Sequence, residues 1–357
     1  MLIYKKYIAK SILYPLVALS FVLTSLVWIT QILKLLPLID KGIALSDFLS
    51  LVILFLPSLF FMISPLIAVI AVIYVYVKLK DDRQLMILKA SGLSNFAIAK
   101  PALLIATIIT LISYYISLHL MPLSYNKLKY SLSDFRENYV SNIVTERTFN
   151  QLSKYTTIYV DKKNPDGTLE GIILFDNKVP ESHSVLFAKI GTIITNDGIP
   201  VFQLKDGFRQ SFDDQKNLTK LYFDDLLIEI KNNNIEKNDR NKTSLELYIN
   251  EMLWPDEELP EERKTRRLID GHQRLIWPFF NYALVFLAVS MFLGRPYSRK
   301  TSLKQMAYTF APLFIVAYFH FSLQKIAYQE PIYIFGCYLN LFLCIIFSIW
   351  QSNRKRI

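Results

Sequence analysis

Six long apolar runs, set apart by charged or polar stretches, leave this chain few choices of fold. They cover residues 11–33, 48–77, 101–123, 275–293, 306–323 and 332–350. Crossing a bilayer takes roughly 20 apolar residues, and inside lipid a helix satisfies its own backbone. Hydrophobic residues make up 52% of the 357 and glycine only 10, which fits neither a disordered chain nor a typical soluble enzyme. The net charge of +10 could suggest nucleic acid, yet the basic residues flank the apolar runs instead of forming one patch. Positive-inside retention accounts for them. Lys5, Lys6 and Lys10 precede the first run, and Lys78, Lys80, Arg83, Lys89 and Lys100 separate the second from the third. Arg295, Arg299, Lys300 and Lys304 follow the fourth, and Arg354, Lys355 and Arg356 close the chain. The short connections on the other side hold only Lys34, Lys41 and Lys325. The expected topology is six spans with both termini cytoplasmic.

Residues 122–273 then form a large polar insert on the outside, with a strand-like middle. Residues 156–160, 171–175, 185–195, 201–212 and 220–230 are short runs rich in Val, Ile, Tyr and Phe. Turn signals stand at Asn164-Pro165-Asp166-Gly167, Asn196-Asp197-Gly198 and Lys205-Asp206-Gly207. Such spacing predicts an all-β sandwich or open barrel. A polar linker (232–242), a helix (243–253) and a mixed-charge segment (255–267) lead into the fourth span. The expected division is 1–122 for spans one to three, 123–242 for the β domain, 243–273 for a helical linker and 274–357 for spans four to six.

Little in the chain looks like chemistry. The paired acids Asp213-Asp214 and Asp224-Asp225 have no His or Cys nearby and read as solvated turn or edge residues. His183 reads as an inert loop residue, and the Asn217 and Asn241 sequons are patterns that chance supplies often. Cys337 and Cys344 lie on one face of the last span, about 10 Å apart, too far for a disulfide. The first run is too long for the core of a cleavable signal. There is no P-loop, and the spans lack the carboxylates that an ion-coupled carrier needs. No cofactor is expected on this chain, so energy for any transport must come from elsewhere.

One stretch offers an entry point. Residues 78–95 interrupt the apolar pattern between spans two and three, and they read as a short cytoplasmic helix. Asp81 and Asp82 are N-cap candidates, Leu85 and Leu88 share a face, Gly92 can close the C-terminus and Ser94 can cap the next helix. By itself this is a helix lying on the membrane surface or a lever that receives force from a soluble motor.

Layout and motifs together resemble the lipopolysaccharide-export permeases, the LptF/LptG (YjgP/YjgQ) family of ABC transporter membrane subunits. The likeness spans the chain and is carried by the three-plus-three layout around a β insert, by Pro57 and Pro65, by the loop Gln84-Leu85-Met86-Ile87-Leu88-Lys89-Ala90-Ser91-Gly92-Leu93-Ser94, and by His272-Gln273-Arg274-Leu275 with Pro278. Family members usually carry Glu where this chain has Gln84, with Asp82 nearby as a substitute. Gln31 and Thr148-Phe149-Asn150 look more like the F-type than the G-type partner.

The resemblance implies a Gram-negative inner-membrane subunit that pairs with a second homologous permease. The pair sits on a cytoplasmic ATPase dimer that uses the ATP, takes lipopolysaccharide from the inner membrane and passes it through a periplasmic β-jellyroll to a bridge protein. ATPase coupling would fall to Asp82, Arg83, Gln84, Leu85, Leu88 and Gly92. Lipid phosphates would meet Lys34 and Lys41, at the rim of an apolar cavity between spans one and five; the alternative is snorkelling to the interface, which is the plainer role of Lys41 but not of Lys34. Phe175, Phe187, Phe202 and Tyr222 would line a lipid slide or pack an ordinary core, and His272 and Arg274 would anchor span four at the interface. A reading from another class is a membrane-anchored adaptor whose β domain binds a ligand without transport.

Overall fold

The computed structural model describes residues 2–40, 43–143, 146–151, 156–164, 167–177, 184–196, 199–212, 218–229, 242–294 and 303–353. Lys41, His183, Asp213, Asp214, Asn217 and Asn241 lie outside them, as do Arg295, Arg299, Lys300 and residues 354–356. The helices before the insert are α1 (Leu2–Leu35), the short α2 (Pro37–Asp40), α3 (Leu45–Ile53), α4 (Leu56–Asp81), α5 (Gln84–Ala90) and α6 (Asn95–Tyr115). A π turn (Ile116–Leu120) joins α6 to α7 (Met121–Ile143). After six strands come α8 (Ile249–Leu253), α9 (Glu261–Leu293), α10 (Leu303–Ala327) and, past a 3₁₀ turn, α11 (Ile334–Asn353). Among the described residues six helical stretches are long and apolar enough to cross a membrane, and the strands fall between the third and fourth in chain order.

Three boundaries differ from expectation. The third span does not end at Pro122: the helix widens into the π turn, where Met121 N–H bonds Ile116 O, and continues to Ile143. Pro122 marks a change of pitch, not an end. The second half of the mixed-charge segment is helical too, so α9 begins at Glu261. The helix expected over 243–253 shrinks to Ile249–Leu253, because the carbonyls of Ser244 and Leu247 are taken by a side chain of α9.

Packing divides the chain into two compact units: Met1–Leu35, Leu49–Lys127 and Lys242–Ile357 make one, Leu36–Phe48 and Leu128–Asn241 the other. The first is built around α4, α6 and α9, whose Ala68, Val72, Tyr76, Ala102, Ala106, Ala283 and Ala288 are buried together. Small residues let the helix backbones approach closely, which is how helices associate in lipid. Cys337 and Cys344 are buried free thiols in this unit.

Proline explains much of the cross-bracing. Pro65, Pro101 and Pro278 each lack the N–H that would answer the carbonyl four residues back. Another helix answers instead: Trp277 Nε1–H donates to Phe61 O (3.0 Å), Tyr4 OH to Ala97 O (3.3 Å) and Ser117 Oγ–H to Arg274 O (3.3 Å). Tyr76 OH and Tyr114 OH bind the next carbonyls, Ile98 O (2.7 Å) and Leu275 O (2.6 Å). Trp277→Phe and Tyr76→Phe should each cost about 0.5–1.5 kcal/mol by removing an interhelical hydrogen bond. Tyr74→Phe, at an exposed position (58%), should cost nothing. Thermal midpoints of the detergent-purified chain test this; equal midpoints for all three would refute it.

In the second unit, β1 (Phe149–Gln151), β2 (Thr156–Lys163), β3 (Leu169–Asp176), β4 (Ser184–Asn196), β5 (Ile199–Phe212) and β6 (Leu218–Glu229) form one antiparallel sheet in sequence order. The order is a meander. The turn at Asn164 is present, closed by Asn164 N–H to Thr168 O (2.8 Å), with Gly167 at φ +85°. Lys205-Asp206-Gly207 is no turn. It lies inside β5, and Asp206 at φ +51° takes part in a crease that crosses five strands. Pairing skips Asp161, Gly171, Lys189, Asp206 and Asp224, each opposite the next. At that line the alternation of side chains slips by one residue, as in a bulge. Core residues are therefore Val160, Ile172 and Ala188 on one side of it, and Leu169 and Leu204 on the other. Gly171 sits at φ +64° with Asp161 against it, so a β carbon there is excluded twice over.

Candidate functional site

The segment between α4 and α6 is a short helix, α5, with a tight turn at each end. α4 runs on to Asp81, and Asp82 is its C-cap, so neither acid caps α5. The reversal is made by Arg83, whose left-handed backbone (φ +61°) occupies the N-cap position without a side-chain bond. The other end matches expectation. Gly92 (φ +82°) carries a Schellman closure, Gly92 N–H to Lys89 O (3.0 Å) and Leu93 N–H to Leu88 O (3.4 Å). Ser94 Oγ then accepts from Ala97 N–H at 3.1 Å.

The two faces of α5 differ in kind. Leu85 is 5% exposed and Leu88 half-buried, both packed into the core of α4, α6 and α9. Outward stand Met86 (52%) and Ile87 (68%), with Asp82, Arg83 and Gly92 exposed beside them and Gln84 half-buried. Leu85 and Leu88 thus hold the helix in place. The presented side chains are Met86 and Ile87, which the spacing of the leucines does not single out. Two lysines add directional ties. Lys89 Nζ donates to Leu293 O, the last carbonyl of α9, at 3.0 Å, and Lys80 Nζ donates to Gln305 Oε1 at the start of α10. Burial, with Lys80 adding to it, lowers the Lys89 pKa.

Near the middle of α9, Arg274 belongs to a buried polar network. It is 5% exposed, and its guanidinium donates to Leu247 O (2.7 Å) and Ser244 O. Ser244 Oγ–H donates to Asp270, which also accepts from Tyr328 OH at 2.6 Å. Burial, then that bond to Asp270, pushes the Tyr328 hydroxyl up to about 12. Buried Glu246 accepts from Thr243 Oγ1–H (2.7 Å), and its carbonyl accepts from Asn126 Nδ2–H (2.8 Å). His272 Nδ1 is 3.0 Å from Tyr338 OH. Lys34 is exposed on the last turn of α1.

On the sheet, Phe187 and Tyr222 share one face with a row of other aromatics. Phe149, Tyr159, Ile173, Phe187, Phe208 and Tyr222 stand opposite one another in register, one from each strand. Phe187 and Phe208 stack at 4.8 Å, and Phe208 and Tyr222 are 5.9 Å apart. Phe175, the third expected residue on this face, belongs to the adjacent row and touches Phe149 at 6.1 Å. Tyr222 is 73% exposed. Phe202 is different: it lies beyond the crease on the opposite face, fully buried in the sheet's core.

Among the described residues no group of His, Cys, Asp and Glu could hold a metal. The family described as lipopolysaccharide export system permease LptF/LptG matches residues 6–354. An uncharacterized protein of Rickettsia prowazekii (strain Madrid E) is 43% identical over 360 residues, covering 100% of both chains.

Proposed function

The chain belongs to the LptF/LptG family of lipopolysaccharide export system permeases, and we propose that it works as one half of a permease pair powered by a separate cytoplasmic ATPase dimer. It is a multi-pass membrane transporter subunit, not an enzyme. In this reading both termini and α5 are cytoplasmic, the sheet is periplasmic and jellyroll-like, and the membrane is the inner one. Lipopolysaccharide leaves that membrane through the pair and moves over the sheet to a bridge protein. The chain serves as the F-type partner.

The observation that carries the reading is the build of α5, whose inner face is fixed in the core while Met86 and Ile87 project from a basic loop. Two apolar side chains at an exposed helix tip suit a groove on a soluble partner. With Gln84 in place of the usual Glu, the exposed Asp82 supplies the carboxylate of that contact. The span surfaces support the pairing. α1 packs on α4 and α6, while α10 packs on α9 and α11. Within this chain the first, fifth and sixth spans leave most of their apolar surface uncovered. A cavity between spans one and five therefore fits best across two subunits, with Lys34 and Lys41 offering charge-assisted contacts to phosphates.

Affinity purification in mild detergent should recover an ATPase, a second permease and lipopolysaccharide. A photo-reactive phenylalanine analogue at Phe187 or Tyr222 should form an adduct with lipopolysaccharide, and one at Phe202 should not. Equal labelling at all three, or none, would sink the assignment of the aromatic face.

A further inference from the structure

Power that enters at α5 has to reach the outside, and the ties at the last turn and near the middle of α9 describe a route. Where a helix stops, its last carbonyls have no N–H partner. At the end of α9, Gly294 N–H answers Ser290 O (3.0 Å), and Lys89 Nζ answers Leu293 O (3.0 Å). An ammonium there also meets the negative end of the helix dipole. The apolar contacts of Leu85 and Leu88 resist separation but are non-directional. The Lys89 bond has a preferred geometry, so it opposes sliding as well.

α9 is helical from Glu261 to Leu293, and its apolar part is mostly buried. Toward its middle Asp270 and Arg274 hold Ser244 and Leu247, in the segment that follows the strands in the chain. We propose that Lys89 is a positioning residue for transport: it fastens α5 to the end of α9, so that α9 acts as a connecting rod from the cytoplasmic lever to the chain leaving the β insert. This rests on the reading that α5 receives force from an ATPase.

The test uses the purified complex in vesicles of phosphatidylethanolamine, phosphatidylglycerol and lipopolysaccharide, with ATP hydrolysis and lipopolysaccharide release measured together. Lys89→Met should leave the ATPase bound and hydrolysing, and lower release per ATP about tenfold, within the usual span of coupling between sites. Lys89→Arg, which keeps a charged donor, should restore most of it. A merely structural role would not move the ratio with hydrolysis intact. An unchanged ratio in Lys89→Met overturns the inference, and so does loss of the ATPase from that variant, since Lys89 would then belong to the docking contact. If the unsubstituted chain carries no ATPase at all, the reading under Proposed function fails and takes this one with it; that result appears before any substitution is made.

Discussion

Ile87→Asp should release the ATPase from the complex and leave the permease folded, whereas Leu85→Asp should damage the permease itself. Ile87 is 68% exposed and adjoins exposed Met86, so a carboxylate there is solvated in the free chain and costs nothing until a partner arrives. Apolar residues at the centre of a docking contact are commonly worth about 2–4 kcal/mol, or roughly 30- to 1,000-fold in affinity. Leu85 is 5% exposed inside the core that joins α4, α6 and α9. A charge there is buried without a partner, which costs several kcal/mol at least. Co-purification of the ATPase and the thermal midpoint of the permease separate the two outcomes. If Ile87→Asp keeps its ATPase while Leu85→Asp loses it from a fully stable chain, the helix presents its other face.

Arg274→Met should be the most damaging change outside the spans' apolar core. Its guanidinium satisfies two carbonyls at once, Ser244 O and Leu247 O. Hydrogen bonds to charged groups contribute about 1.5–3 kcal/mol each, and the stranded carbonyls add a further penalty. A loss of about 3–5 kcal/mol follows from those magnitudes, together with release of residues 243–254 from α9. Limited proteolysis should then cut that segment in Arg274→Met and spare it in the unsubstituted chain. Arg274→Lys, whose single ammonium lacks the planar fork, should recover about half of the loss. Full stability in Arg274→Met would mean that water replaces the guanidinium without cost.

The six spans are legible in the sequence, because runs of twenty apolar residues have one physical outcome in a bilayer. Their ends are not. Residues 124–143 and 261–274 are helical without an apolar stripe long enough to announce it, so hydropathy alone makes the third and fourth spans too short. The spacing of Leu85 and Leu88 puts both on one face, as the structure has them, but spacing is silent on which face the neighbouring helices claim. The Arg274 clamp joins residues 27 and 30 positions apart, with no local signature to find. The crease does have a signal, Lys205-Asp206-Gly207. That signal reads as a chain reversal because a left-handed residue beside glycine usually makes one.

The crease also gives the sheet's open face a polarity. On one side of it lies the row from Phe149 to Tyr222; on the other, the next exposed row reads Lys162, Glu170, Ile190, Lys205 and Asp225. Oil and ink meet along a single seam. The charged row is balanced, with Lys162 opposite Glu170 and Lys205 opposite Asp225, so an amphiphile lying there as proposed would set its tails over the rings and its polar head over alternating charges. In that reading the cargo would be oriented before any receiving protein touched it.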